Sequence, residues 1–146
     1  MKTASRPRFA HPAILLLALS LATLSVASAD SPLEKCMERM KKAYKALALG
    51  LEKPQESNQS TYVSLAETIK SSATESRDFV PKLAESLPPD QKTAMVKSFR
   101  EDMDSFVVSV DGLIQNLKAS KWEEANKDMA NLKNEMRDGH REFRKD

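Results

Sequence analysis

The sequence is poor in glycine, cysteine, histidine and aromatic residues. Its 146 residues include three glycines, one cysteine, two histidines and one tryptophan, and aromatic residues make up 5% of the chain. Few glycines and aromatics disfavour β-sandwiches, β-barrels and nucleotide-binding α/β folds, because the turns and phosphate loops of those folds use glycine. A single cysteine excludes an intramolecular disulfide framework. The composition therefore favours an all-helical domain.

The first 29 residues have the features of a secretory signal peptide. Lys2, Arg6 and Arg8 form a basic region, an apolar stretch follows at 13–24, and Ala-Ser-Ala at 27–29 is a small-residue cleavage site. The apolar stretch has about 12 residues, whereas a membrane-spanning helix needs roughly 20. We therefore expect residues 30–146 to be exported as one domain without a membrane anchor.

Removal of this segment changes the charge balance. The whole chain has 23 Lys+Arg and 21 Asp+Glu, and loss of Lys2, Arg6 and Arg8 leaves 20 against 21, a net charge of −1. No basic run is longer than the pair Lys41-Lys42. Nucleic-acid binding is therefore not expected.

Four segments carry apolar residues at steps of three and four, which is typical of helices packed in a bundle. The second segment covers about 57–79, and the third follows a connection that contains Pro81 and the prolines at 88–89. The apolar positions are Leu33, Met37, Met40, Tyr44, Leu47 and Leu51; Tyr62, Leu65 and Ile69, more weakly Ala73 and Ser76; Val96, Phe99, Met103, Phe106, Val110, Leu113 and Leu117; and Trp122, Ala125, Met129, Leu132, Met136, Gly139 and Phe143.

Local signals set the ends of these helices. The stretches SPLE at 31–34 and SKWE at 120–123 each match a capping box, and Pro54 ends the first helix. The short link at 119–120 makes the last two helices antiparallel neighbours. We predict an up-down-up-down antiparallel four-helix bundle. In that topology Met37, near the start of the first helix, and His140, near the end of the last, face each other at one end.

The residue inventory leaves few kinds of site. His140 is the only histidine after the predicted cleavage site; it either complements a helix C-terminus or binds a ligand, and Met37 is either core filler or a ligand. Gly139 leaves a cavity or room for a planar group beside His140.

Four-ligand zinc, di-iron and Ser-His-Asp sites lack the residues that they need, and no Cys-x-x-Cys-His motif is present for covalent haem attachment. We therefore do not expect an enzyme.

Four short stretches accompany this order and length of helices: LEKCME at 33–38, PKL at 81–83, FR at 99–100, and LK at 132–133, eight residues before His140. Through these features residues 30–146 resemble the cytochrome b562 family, small exported four-helix bundles that hold one non-covalent haem b between a methionine and a histidine.

The resemblance implies a function and a set of residues. Met37 and His140 would be the axial ligands of the iron in a monomeric periplasmic electron-transfer protein, which would need a redox partner that the sequence does not identify. Two protein ligands leave iron without an open position, which suits electron transfer. The residues implied to line the haem are Met40, Pro81, Phe99 and Met103. Met136 stands where better-known members carry an arginine near the haem.

Two other interpretations stay open. The first is a cofactor-free helical binding or adaptor module, in which Met37 is filler and His140 completes a helix end. The second is a Cu(I) site built from Cys36, Met37, Met40 and His140, because thiolate, thioether and imidazole are soft ligands. Cys36 itself is expected to be a half-buried or surface thiol without a role.

Overall fold

The computed structural model describes residues 31–144, so the predicted signal peptide lies outside the described residues. Between those limits the chain forms helices and turns without strands. The elements are α1 (Pro32–Gly50), a 3-10 turn (Glu56–Asn58), α2 (Gln59–Ser76), α3 (Lys82–Glu85), α4 (Pro89–Lys118) and α5 (Trp122–Phe143). The prediction of an all-α four-helix bundle is confirmed. The predicted second helix is shorter than expected at both ends, and the connection after it contains the short α3.

The four long helices are antiparallel to their neighbours in chain order. Helices α1 and α2, α2 and α4, and α4 and α5 pack along their length. Ion pairs on the α2/α4 flank show the direction, because Lys70 contacts Asp111 at 2.7 Å and Arg77 contacts Asp104 at 2.8 Å. Later residues of α2 therefore meet earlier residues of α4.

Helix α1 begins at a capping box. The backbone N–H of Ser31 donates to Glu34 Oε2 at 2.7 Å, and the N–H of Glu34 donates to Ser31 Oγ at 3.2 Å. Pro32 follows at the first helical position, where a missing N–H costs nothing. The sequence prediction for this end is confirmed.

The capping box predicted at Ser120 and Glu123 is wrong. Ser120 has a φ of 54°, and Lys121, which has no side-chain cap, is the residue before α5. The N–H of Ser120 donates to the carbonyl of Leu117, and the N–H of Lys121 donates to that of Asn116, which is a Schellman ending for α4. Ser120 therefore closes α4, and its hydroxyl donates to Glu56 Oε2 at 2.6 Å.

The core runs between the long helices and ends in an aromatic pair on each side. Leu47, Ile69, Leu113 and Leu132 have no exposed surface, and burial of each contributes about 1.5–3 kcal/mol. At one end Tyr62 and Trp122 make an edge-to-face contact with centroids 5.8 Å apart. At the other end Phe99 and Phe143 do the same at 5.3 Å. Within residues 31–144 no helix is long and apolar enough to cross a membrane.

Candidate functional site

The start of α1, the connection through α3 and the end of α5 lie at one end of the bundle. Glu34 in the first turn of α1 forms an ion pair with Lys82 in α3. Helix α3 also contacts α5, and Phe143 near the end of α5 packs on Phe99. The bundle topology predicted this arrangement. It brings the segments that carry Met37 and His140 to the same end.

Met37 and Met40 lie one turn apart on α1 with different burial. Met40 is buried in the core, with 3% of its surface exposed, and Met37 is half-buried and packs against the core from its edge. The thioether of Met37 therefore lies on the flank of α1 and outside the centre of the bundle.

His140 lies at the surface in the last turns of α5. Partial loss of solvent around the ring lowers its pKa, and the positive charges of Arg144 and Lys41 lower it further. Lys41 follows Met37 by one turn of α1, so this part of α1 lies across from His140. A lowered pKa favours the neutral imidazole, which is the form that binds a metal.

Helices α1 and α5 lie farther apart than the other neighbouring long helices, and we call the boundary between them the α1/α5 groove. In the described part of the chain their backbones approach closely at no more than isolated points. Side chains bridge the gap instead, since Tyr44 Oη donates to the carbonyl of Met129 at 3.0 Å and Asn126 Nδ2 donates to that of Leu51 at 3.4 Å. Both bridges lie away from the His140 end. A Cβ added to Gly139 would meet no atom within 4 Å, so the space around this helical glycine is open.

The other residues that the resemblance implied lie around the same half of the bundle. Phe99 is buried against Phe143, and Pro81 is fully buried immediately before α3. Met103 follows Phe99 by one turn of α4 and packs, half-buried, against the core. Sequence reasoning missed the pairing of Phe143 with Phe99, although both occupied predicted core positions.

Cys36 corrects the expectation of a half-buried or surface thiol. Only 1% of its surface is exposed, and Arg39 Nη2 donates to its sulfur at 3.2 Å. Arg39 also forms an ion pair with Glu75 of α2, which covers the thiol. Burial raises the pKa of Cys36, and the charge of Glu75 raises it further. The thiol therefore lies on the α2 side of α1 and is held in its neutral form.

This position separates Cys36 from the imidazole of His140. The thiol lies beneath a contact between α1 and α2, whereas His140 projects from α5. Among residues 31–144 no three His, Cys, Asp or Glu side chains form a group that could hold a metal ion. The position of the Cys36 thiol on the α2 side of α1 does not favour the Cu(I) interpretation.

The fold and the site together define a class of protein: an antiparallel four-helix bundle with a thioether on its first helix and an imidazole on its last, at the same end of the bundle. The family model for Cytochrome b562 matches residues 32–144, and the chain belongs to that family. The family consists of haem-binding cytochromes that carry electrons. A search of the curated proteins found no significant match.

Proposed function

We propose that residues 30–146 are a periplasmic electron-transfer protein that binds one non-covalent haem b through Met37 and His140. Family membership supports a haem-binding cytochrome. The observation that carries the assignment of ligands is the position of His140 across from the segment of α1 that contains Met37 and Lys41.

The donor set suits haem iron in a carrier. Haem b supplies a ferric/ferrous one-electron couple when it is bound. Met37 and His140 would hold the iron, so that no ligand position is left for a substrate, and a thioether ligand favours ferrous iron. The lowered pKa of His140 keeps the imidazole neutral and available as a ligand.

The surrounding residues suit a flat apolar group. Met40 and Phe99 offer buried apolar surface, and Met103 offers half-buried surface on α4. Pro81 would close the edge of the site from the connection to α3. Attachment would be non-covalent, because the thiol of Cys36 lies on the α2 side of α1 under Arg39.

The predicted signal peptide supports export. Basic, apolar and small-residue regions follow one another in the first 29 residues in the order that export signals use. After cleavage at residue 29, the domain would begin one residue before the capping serine of α1. The cleaved product would therefore retain the whole described bundle.

The test is a haem titration of residues 30–146, followed by absorption in the oxidised and reduced states. We expect binding of one haem per chain with sharp low-spin bands on reduction. Met37→Ala and His140→Ala should each weaken binding and give high-spin spectra, because each removes one axial ligand.

Met95→Ala is the matched control, since Met95 is a half-buried methionine near the start of α4. It should bind haem like the unchanged protein. Equal binding and identical spectra in all four proteins would refute the ligand assignment. Absence of haem binding in the unchanged protein would favour the cofactor-free module.

A further inference from the structure

The flank of α5 that faces α4 is acidic. Its carboxylates at 128, 135 and 142 are seven residues apart, so they form one row along the helix. Uncharged side chains of α4 bond to them: Asn116 Nδ2 to Asp128 at 2.8 Å, Ser109 Oγ to Glu135 at 2.9 Å, and Ser98 Oγ to Glu142 at 3.2 Å. Asp102 lies close to this row, and its pKa is raised by burial and then by the negative charges of Glu142 and Glu101.

The opposite flank of α5, which faces α1, is basic. Asn126 and Met129 mark this flank through their contacts with α1. From Asn126, helical steps of seven, four, three and four reach positions 133, 137, 140 and 144. Three of these four positions are basic and the fourth is His140.

Helix α1 adds one lysine on its side of the groove. Lys41 follows Met37 by one turn, and its charge acts on His140 across the groove. We call the whole set the basic rim. It consists of Lys41, Lys133, Arg137 and Arg144.

The carboxylates beside the basic rim do not neutralise it. Glu38 is shared between Lys41 and Lys42, each at 3.7 Å. Asp138 is likewise shared between Arg137 at 3.4 Å and Arg141 at 3.3 Å. Each acid thus faces two cations. Haem b would bring two further carboxylates, and positive charge would still be in excess at the rim.

We infer that the basic rim is the docking surface for a redox partner that has an acidic patch around its own redox centre. The inference rests on the proposed function, because it concerns electron transfer at the α1/α5 groove. A net charge of −1 for residues 30–146 gives no attraction to such a partner. Positive and negative charges instead lie on opposite flanks of α5. The basic rim would attract an acidic partner and the acidic flank would repel it, so that the partner would be both bound and oriented.

The first test uses small probes of opposite charge as oxidants of the ferrous haem protein in stopped flow. Each haem gives one electron to hexacyanoferrate(III), which becomes hexacyanoferrate(II), or to tris(phenanthroline)cobalt(III), which becomes cobalt(II). We expect the rate with the anionic oxidant to fall at least about fivefold between roughly 10 mM and 300 mM salt, because salt screens the rim. The rate with the cationic oxidant should rise or stay constant.

Paired charge reversals locate the effect. Lys133→Glu with Arg137→Glu should reverse the salt dependence with the anionic oxidant. Glu135→Lys with Glu142→Lys, an equal and opposite change of charge on the other flank, should leave its sign unchanged. If the two double variants shift the dependence by equal and opposite amounts, net charge and not the rim controls the rate, and the inference is overturned.

A haem-free measurement separates this inference from the proposed function. ¹H–¹⁵N spectra of residues 30–146 are recorded with increasing hexaglutamate at low salt. Shifts confined to the basic rim, and lost in the Lys133→Glu/Arg137→Glu variant, support the docking surface whatever the haem titration shows. Shifts elsewhere, or none, overturn it, whereas failure to bind haem in the titration above refutes the proposed function alone.

Discussion

Tyr44 on α1 donates its phenolic hydrogen to the carbonyl oxygen of Met129 on α5, at 3.0 Å. This bond joins the first and last helices of the described bundle where their backbones remain apart. Burial raises the pKa of Tyr44, so the phenol stays protonated and remains a donor.

The first prediction concerns this bridge. Tyr44→Phe removes the hydroxyl and leaves the ring, and we expect the free energy of unfolding to fall by about 1 kcal/mol, the usual contribution of one hydrogen bond. Chemical denaturation of the haem-free protein measures it. Tyr62→Phe is the control, because the Tyr62 hydroxyl accepts only a long bond of 3.4 Å from the N–H of Gln55. If Tyr62→Phe lowered the free energy of unfolding as much as Tyr44→Phe does, the stabilising role assigned to the Tyr44 hydrogen bond would be contradicted.

The second prediction concerns the glycines. Gly112 and Gly139 lie inside helices, and a Cβ at either position meets no atom within 4 Å. Gly112→Ala and Gly139→Ala should each raise the free energy of unfolding by about 0.5–1 kcal/mol, because alanine favours the helix. Gly50→Ala should destabilise the protein instead, since its Cβ would lie 2.6 Å from Tyr62 Cε1. Thermal denaturation of the three variants tests this prediction. If all three substitutions changed the melting temperature in the same direction, the surroundings described for these glycines would be wrong.

The third prediction is a pH dependence at the start of α1. The ion pair with Lys82 and the backbone bond from Ser31 lower the pKa of Glu34 from 4.5 to about 2. A lowered pKa in the folded state gives stability that is present above pH 4.5 and is lost as the pH falls towards 2.

Glu34→Gln should therefore lose less stability than the unchanged protein between pH 4.5 and about 2, as measured by denaturation at several pH values. Glu52→Gln, at an exposed position after α1, is the control and should follow the unchanged protein. Parallel curves for all three proteins would show that Glu34 does not have this role.

The fourth prediction concerns the thiol. Cys36 is buried and its pKa is raised, so Ellman's reagent should modify it more than about tenfold more slowly than an exposed cysteine. The reference is Val108→Cys in a Cys36→Ser background, because Val108 is 70% exposed. Equal rates for Cys36 and the reference would contradict the burial described above.

Apolar spacing predicted the four long helices, their order and most of the core, because steps of three and four residues reflect a helix that buries one face. It did not predict which flank of α1 is more deeply buried. The spacing predicts a buried face through Met37 and Tyr44. The structure instead buries Cys36 and Ala43 and leaves Met37 and Tyr44 half-buried. The reason is tertiary: α1 packs closely against α2 and remains apart from α5, so burial shifts towards α2.

The error at Ser120 has a similar origin. The pattern SKWE satisfies the local rule for a helix start, but the preceding helix uses Ser120 to close its own C-terminus. Only residues 119–121 separate the two helices, so Ser120 cannot close α4 and also cap the start of α5. For the site, the sequence could place Met37 and His140 at one end through topology alone. The cover over Cys36 depends on Glu75 of α2, which spacing within α1 cannot reveal.

The wide spacing of α1 and α5 at the α1/α5 groove also has a kinetic consequence. Among the four long helices, each close contact joins helices that follow one another along the chain, whereas pairing of α1 with α5 must close the longest loop in the bundle and gains few backbone contacts in return. This pairing should form last and open first. Opening there costs less than global unfolding, so hydrogen exchange should be fastest along this groove. A large planar molecule can therefore enter or leave through a partial opening, while the other three helix interfaces stay folded.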